Sequence, residues 1–416
     1  MESLFALAGP RPMITRGEQM LALRRSRMAA APAWLRGGFR PFFLGGAIWA
    51  VAALALWLCA LSGTIALPSL FEPLAWHRHE MLFGFVGAVI AGFALTAIPN
   101  WTGRLPIAGL PLAGLFALWA AARAAMLFSQ VTGPLVAAAL DAGFYLALAG
   151  FAAREVLAAK NRNLPVVLII FLLGAADAAD HAAAAGWIAD GAIAVRAGIS
   201  LVIVMISLIG GRIVPSFTRN WLTKQGVKTG LPGQPGRYDI ATVAATAASL
   251  LAWLVVPLSE AAGVLLVAAG LLQAVRLARW RGLRAWHDPL VLILHIGYLW
   301  VPAGLLLLGA SLLGAAIPAS AAIHALTAGA MATMILAVMT RATLGHTGRA
   351  LEAGGPTILI YVLITVGAVL RVAAPFGLVD DMLAMRLAAL AWGGAFLGFA
   401  LFYGPILLGP REDEQV

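Results

Sequence analysis

The chain has 416 residues, of which 62% are hydrophobic and only 11% charged, with a formal net charge of +10. Soluble domains carry about a quarter charged residues, so this sequence lacks the polar surface to clothe a water-soluble globule. The basic excess falls in short segments between apolar runs, where it reports topology rather than nucleic-acid binding. The single cysteine, Cys59, excludes an internal disulfide framework and a thiolate metal cluster.

Residues 1–36 form a basic leader. It is too long for a signal peptide and is followed by more than twenty apolar residues, so it is expected to be a retained cytoplasmic segment. Apolar runs then recur over 39–61, 79–99, 107–127, 133–153, 165–187, 190–211, 238–257, 260–280, 289–314, 319–340, 355–374 and 382–404. Each is long enough to cross about 30 Å of hydrocarbon. Cys59 lies inside the first run and reads as a buried thiol, and the thirteen tryptophans read mostly as an interfacial belt. The longest link, roughly 212–237, is polar and rich in Gly and Pro, which predicts a loop. A cytoplasmic tail, 409–416, closes the chain. With twelve spans every Lys/Arg-rich segment falls on one side of the membrane. The positive-inside rule then puts both termini in the cytoplasm. The expected fold is all-α: a polytopic bundle of twelve transmembrane helices in one membrane domain, 37–408.

An internal echo runs through that domain. Pro41, Pro165 and Pro289 open the first, fifth and ninth spans at intervals of 124 residues. "HEMLFGFVGAVIAGFALTAIPNWTGR" from His79 and "HALTAGAMATMILAVMTRATLGHTGR" from His324 both place 22 residues between His and Thr-Gly-Arg. The pattern predicts three parallel four-helix repeats, 37–160, 161–285 and 286–408.

The topology also sets the depth of the histidines. His79 and His324 open outward-to-inward helices, and His77 lies just before the first of them. His181 is sixteen residues past Pro165, about 24 Å along a helix, so it reaches the same outer third. His77 and His79 diverge on a regular helix and could act together only if His77 precedes it. His295 lies near the inner side, and His287 and His346 fall in inner loops. Ionisable groups inside a bilayer are functional suspects, and imidazole is a common ligand of copper and iron. Arg123, Asp141, Asp177, Asp180, Arg196, Arg371 and Arg386 share the outer side. Arg123 and Asp141 could neutralise each other, or an arginine could meet an anionic ligand group while Asp177 or Asp180 orients His181. Met81, Met331 and Met334 read as core, with a thioether role open. Walker, CxxCH, HExxH and strand–turn–helix GxGxxG signatures are absent.

The segments "RGGFRPFFLGG", "HRHEMLFGFVGAVIAGFALTAIPNWTGR", "LIGGRIVPSFTRNW", "LHIGYLWVPAGLLL" and "HALTAGAMATMILAVMTRATLGHTGR" resemble the NnrS family of bacterial membrane proteins. The resemblance implies a multi-pass inner-membrane protein holding non-covalent b-type haem and copper. It also implies a link to nitric oxide metabolism, denitrification and resistance to nitrosative stress. Carried over by motif, it marks His77, His79, His295, His324 and His346, with His181 a looser match, and it leaves the division between haem and copper open. The expected metal ligands are His77, His79, His181, His295, His324 and His346. His79, His324, His181, His295, Arg123 and Arg371 are the cofactor candidates, with His79 and His324 expected to face each other and His295 and His346 to form a separate inner site. The expected partners are nitric oxide or nitrosyl-iron species, the lipid bilayer and an unidentified electron donor, with enzymatic turnover left open. The alternative is a metal or small-molecule transporter whose histidines coordinate its cargo.

Overall fold

A computed structural model describes residues 15–189, 191–377 and 380–412. Among them, twelve helices are long and apolar enough to cross a membrane: α1 (Phe39–Leu61), α2 (Pro73–Thr102), α3 (Leu110–Leu127), α4 (Pro134–Ala158), α5 (Leu164–Ala184), α6 (Ala192–Lys224), α7 (Arg237–Val255), α8 (Glu260–Arg279), α9 (Pro289–Leu312), α10 (Ala319–His346), α11 (Gly355–Phe376) and α12 (Met382–Leu408). No strand occurs among the described residues. The all-α membrane bundle is thus the observed fold. A short polar helix, Arg16–Ala29, precedes it.

Proline sits in the first turn of α2, α3, α4, α5, α9 and α11. Its missing N–H is harmless there and its fixed φ suits the helix. Two boundaries differ from the sequence reading. The second span begins at Pro73 rather than residue 79, so His77 and His79 are both helical. The sixth continues through Pro215 to Lys224, deep into the stretch read as a loop. Side chains from α8 and α9 support that continuation, because Gly210 and Gly211 let Tyr298 and Arg276 lie directly against the α6 backbone. Helices in a membrane tolerate an internal proline where neighbours support the freed backbone.

The bundle closes on itself. Arg40 at the start of α1 donates to the carbonyls of Leu407 (2.8 Å) and Gly409 (2.6 Å), just beyond the end of α12. The first and last spans therefore lie side by side, with their terminal ends at the same end of the bundle. Helix α4 packs on α5, α8 on α9 and α12 on α1, one junction every four helices.

The two helices carrying the His…Thr-Gly-Arg echo are the most enclosed. In α2 and α10, 78% and 67% of the apolar window is buried, against 61% or less in every other span. Each also widens into a π-helical turn directly after its histidine, at Glu80–Phe85 and at Ala325–Met331. Such turns are frequent at functional sites. In α2, side chains from neighbouring helices serve the loosened carbonyls. Tyr145 Oη donates to Phe83 O (2.8 Å) and Trp119 Nε1 to Gly84 O (2.9 Å).

Two further expectations change. Cys59 is exposed on the outer surface of α1 rather than buried. Trp57, Trp76, Trp119, Trp253, Trp280 and Trp392 are buried, so a good part of the tryptophan complement packs the interior instead of the interface. A hydropathy profile cannot tell these cases apart, because it sees depth along a helix and not the direction a residue faces.

Candidate metal and cofactor centre

His77 and His79 stand about 200° apart around the axis of α2, and that angle divides the site in two. Both groups of residues lie at the end of the bundle opposite the terminal ends of α1 and α12. His79 turns toward α4 and α5, and His77 toward the space between α1, α6 and α10.

On the His79 side the chain builds a buried acidic cluster. His79 Nδ1 lies 2.8 Å from Asp180 Oδ2, and its Nε2 lies 2.9 Å from Asp141 Oδ2 and 3.5 Å from Asp177 Oδ1. His181 Nε2 is 3.4 Å from the same Asp141 oxygen. One ligand atom from each of His79, Asp141, Asp177 and His181 falls within 4.8 Å of the others, and all four residues are buried. Arg123 binds the opposite edge, donating from Nη2 to Asp141 Oδ1 and from Nη1 to Glu80 Oε2 (2.6 Å). Trp49 Nε1 donates to that Glu80 oxygen as well (2.6 Å). Phe71 packs edge-on against both imidazoles.

The sequence reading placed these charges at one depth, and the ion pair between Arg123 and Asp141 is present. Arg123 therefore belongs to the acidic cluster. The aspartate orientation differs: Asp180 holds His79, and His181 leans on Asp141. Glu80 was not singled out from the sequence. Its signal was its position beside His79 in "HRHEM", one residue into what proves to be a π turn.

On the His77 side lies a cavity of about 600 Å³. Its wall is mostly apolar and carries His77, His324, Arg78, Arg196 and Arg371, with Met81, Met331 and Trp392 among the packing residues. The His77 ring stacks on Trp57, with 3.9 Å between centroids, and its Nδ1 is buried without a hydrogen-bond partner. His324 Nδ1 lies 2.6 Å from the carbonyl of Ser320, one turn back. A carbonyl can only accept, so Nδ1 carries the proton and Nε2 presents its lone pair. Metal-binding histidines are commonly oriented in this way. The residue that shares the cavity with His324 is His77, and His79 is turned away from it. Both are helical, so they cannot converge as a non-helical His77 would have allowed.

The remaining histidines lie outside both groups. His295 is buried at the other end of α9, with Nε2 2.8 Å from Thr218 Oγ1. His346, at the end of α10, packs against Phe39. Among the described residues, the His79 group is the one cluster of three or more His, Cys, Asp or Glu side chains able to hold a metal ion. Neither inner histidine belongs to it. His287 is exposed beside Trp286. His287→Ala is expected to leave metal content unchanged and to shift stability by no more than about 0.5 kcal/mol, checked by elemental analysis and thermal unfolding in detergent.

Gly84 is tied to the cluster by packing. A Cβ there would lie 2.3 Å from Glu80 Oε2 and 2.6 Å from Arg123 Nη1. Gly84→Ala is expected to destabilise the protein by about 1–3 kcal/mol through overpacking, and a thermal midpoint equal to that of the wild type would refute this.

Comparison with known protein families gives a match over residues 33–411 to the family described as NnrS protein. No curated protein matches.

Proposed function

The chain belongs to the NnrS family, and from that premise we propose that it is a haem- and copper-containing protein of the bacterial inner membrane. In this reading it acts in nitric oxide metabolism and nitrosative-stress resistance, binding or processing nitric oxide or nitrosylated iron at a histidine-ligated metal. The basic segments on the terminal side support a topology with both termini in the cytoplasm.

The observation that carries the reading is the cavity on the His77 side. Its residues fit haem. An extended apolar wall suits a porphyrin, Arg371 with Arg78 and Arg196 suits carboxylate side groups, and imidazoles come from two separate helices. The volume, about 600 Å³, falls in the range of about 300–1,000 Å³ for small-molecule sites. His77, with an unpartnered nitrogen, and His324, with its proton fixed at Nδ1, are the proposed iron ligands. Bound there, haem would supply an iron able to take nitric oxide as a ligand. The protein's own work is to fix the ring nitrogens, keep the site apolar and offer positive charge to the anionic groups. The thioethers of Met81 and Met331 on the same wall are soft donors that, with imidazole, suit copper.

The test is spectroscopic. Protein purified from a haem-replete culture should show a Soret band that shifts when the reduced protein meets nitric oxide, and elemental analysis should find copper. Absence of haem would overturn the reading in favour of a transporter whose cargo is coordinated by the same histidines. Steady-state nitric oxide consumption distinguishes turnover from binding alone.

A further inference from the structure

The acidic cluster on the far side of α2 holds more negative charge than its arginine can balance. Glu80, Asp141, Asp177 and Asp180 are all buried. Against four carboxylates the cluster sets one guanidinium, Arg123, so with both imidazoles neutral the formal balance is three negative charges. A bilayer-spanning bundle relieves such an excess either by protons, on the imidazoles or the carboxyls, or by a bound cation. Three details show where a cation would sit. Both oxygens of Asp177, which is wholly buried, lack a hydrogen-bond partner, and one of them faces His79 Nε2 at 3.5 Å. Carboxylates also approach both nitrogens of His79, which is met either by an imidazolium donating from both or by a singly protonated ring with a cation at its other nitrogen. With the proton on Nδ1 facing Asp180, the His79 Nε2 lone pair would stand beside the oxygens of Asp141 and Asp177 and within reach of His181 Nε2.

We propose that His79 Nε2, His181 Nε2, Asp141 and Asp177 bind a divalent metal ion of the Zn(II), Fe(II) or Mn(II) class, at a site separate from the cavity lined by His77 and His324. The donor set is two imidazole nitrogens and two carboxylate oxygens with no sulfur. Carboxylate is a hard ligand, suited to these ions rather than to Cu(I). The supporting shell is in place as well. Asp180 on His79 Nδ1 forms the carboxylate–histidine–metal arrangement that fixes the ring's tautomer and orientation. Arg123 occupies the outer oxygen of Asp141 and leaves the inner one for the ion. Bonds of about 2.0–2.2 Å around a tetrahedral ion put ligand atoms about 3.4 Å apart, so His79 Nε2 and Asp141 Oδ2 (2.9 Å) would open a little and the wider pairs, all within 4.8 Å, would close. Phe71 and Phe83 pack against His79 and keep the site dry.

The proposal does not depend on the haem reading, because the two sites share no side chain. Full-length protein purified in detergent from cultures supplemented with zinc, iron or manganese salts should contain about one equivalent of that metal beyond any haem iron. Asp177→Asn and His181→Gln should each lower it at least tenfold while leaving the Soret band unchanged. Asp180→Asn, which would touch no ion, should weaken retention against a chelator by about tenfold or more. Zinc-edge X-ray absorption of the wild type, independent of any variant's folding, should show a nitrogen and oxygen shell near 2.0 Å and no sulfur shell near 2.3 Å. Absence of metal from the wild type under all three supplements would overturn the proposal. Full occupancy in Asp177→Asn, or copper as the ion that Asp177→Asn releases, would do the same.

Discussion

His77→Ala and His324→Ala, made singly, should each yield inserted protein that has lost haem by about tenfold or shows a displaced Soret band, whereas His181→Gln should keep the wild-type spectrum. The expectation follows from the division along α2. His77 and His324 line one cavity, and His181 lies in the acidic cluster. The two losses need not look alike. His324 is oriented by a hydrogen bond to its own helix, while His77 is held by stacking on Trp57. Trp57→Leu should therefore disturb the His77 ligand selectively. Wild-type spectra and haem content in both alanine variants would remove these residues as ligands and leave the cavity without its assigned cofactor.

Arg123→Met should destabilise the protein by about 3–5 kcal/mol, because it removes the guanidinium that Glu80 and Asp141 share in a buried site. That is a large fraction of the about 5–15 kcal/mol that holds a typical domain folded. Arg123→Lys should recover little. The guanidinium reaches two carboxylates at once with fixed donors, which a single ammonium on a flexible stem does not reproduce. The double variant Arg123→Met with Asp141→Asn should be more stable than the sum of the single changes, since removing both partners leaves less unpaired charge. Unfolding in detergent of these three variants and of the single Asp141→Asn variant measures each comparison. A loss below about 1 kcal/mol for Arg123→Met would mean that the pair is not dry, and the charge argument for a bound metal would weaken with it.

The class of the protein was legible from the chain alone. Recurring apolar runs have to satisfy their backbone inside hydrocarbon, and only helices or closed barrels do that. The number of spans followed from length and was checked by the charges between them. Span ends were less legible. Proline and glycine look the same whether they start a helix, as Pro73 does, or sit inside one, as Pro215 does. The difference lies in the neighbouring helices that support the backbone.

Sequence also placed the histidines and intramembrane acids at a shared depth, because depth is simply distance along a helix. It could not give azimuth. Lateral position depends on how helices far apart in sequence pack against one another, and a shift of two residues, from His77 to His79, changes which neighbours a side chain meets. Only the tertiary structure therefore paired His77 with the cavity of His324, put His79 among Asp141, Asp177 and Asp180, and drew Glu80 and Arg123 into the same cluster. The chain by itself determined that ionisable groups would lie inside a twelve-helix membrane protein. Packing decided which of them share a site, since burying a charge in hydrocarbon is tolerable only where another helix brings its counterpart within reach.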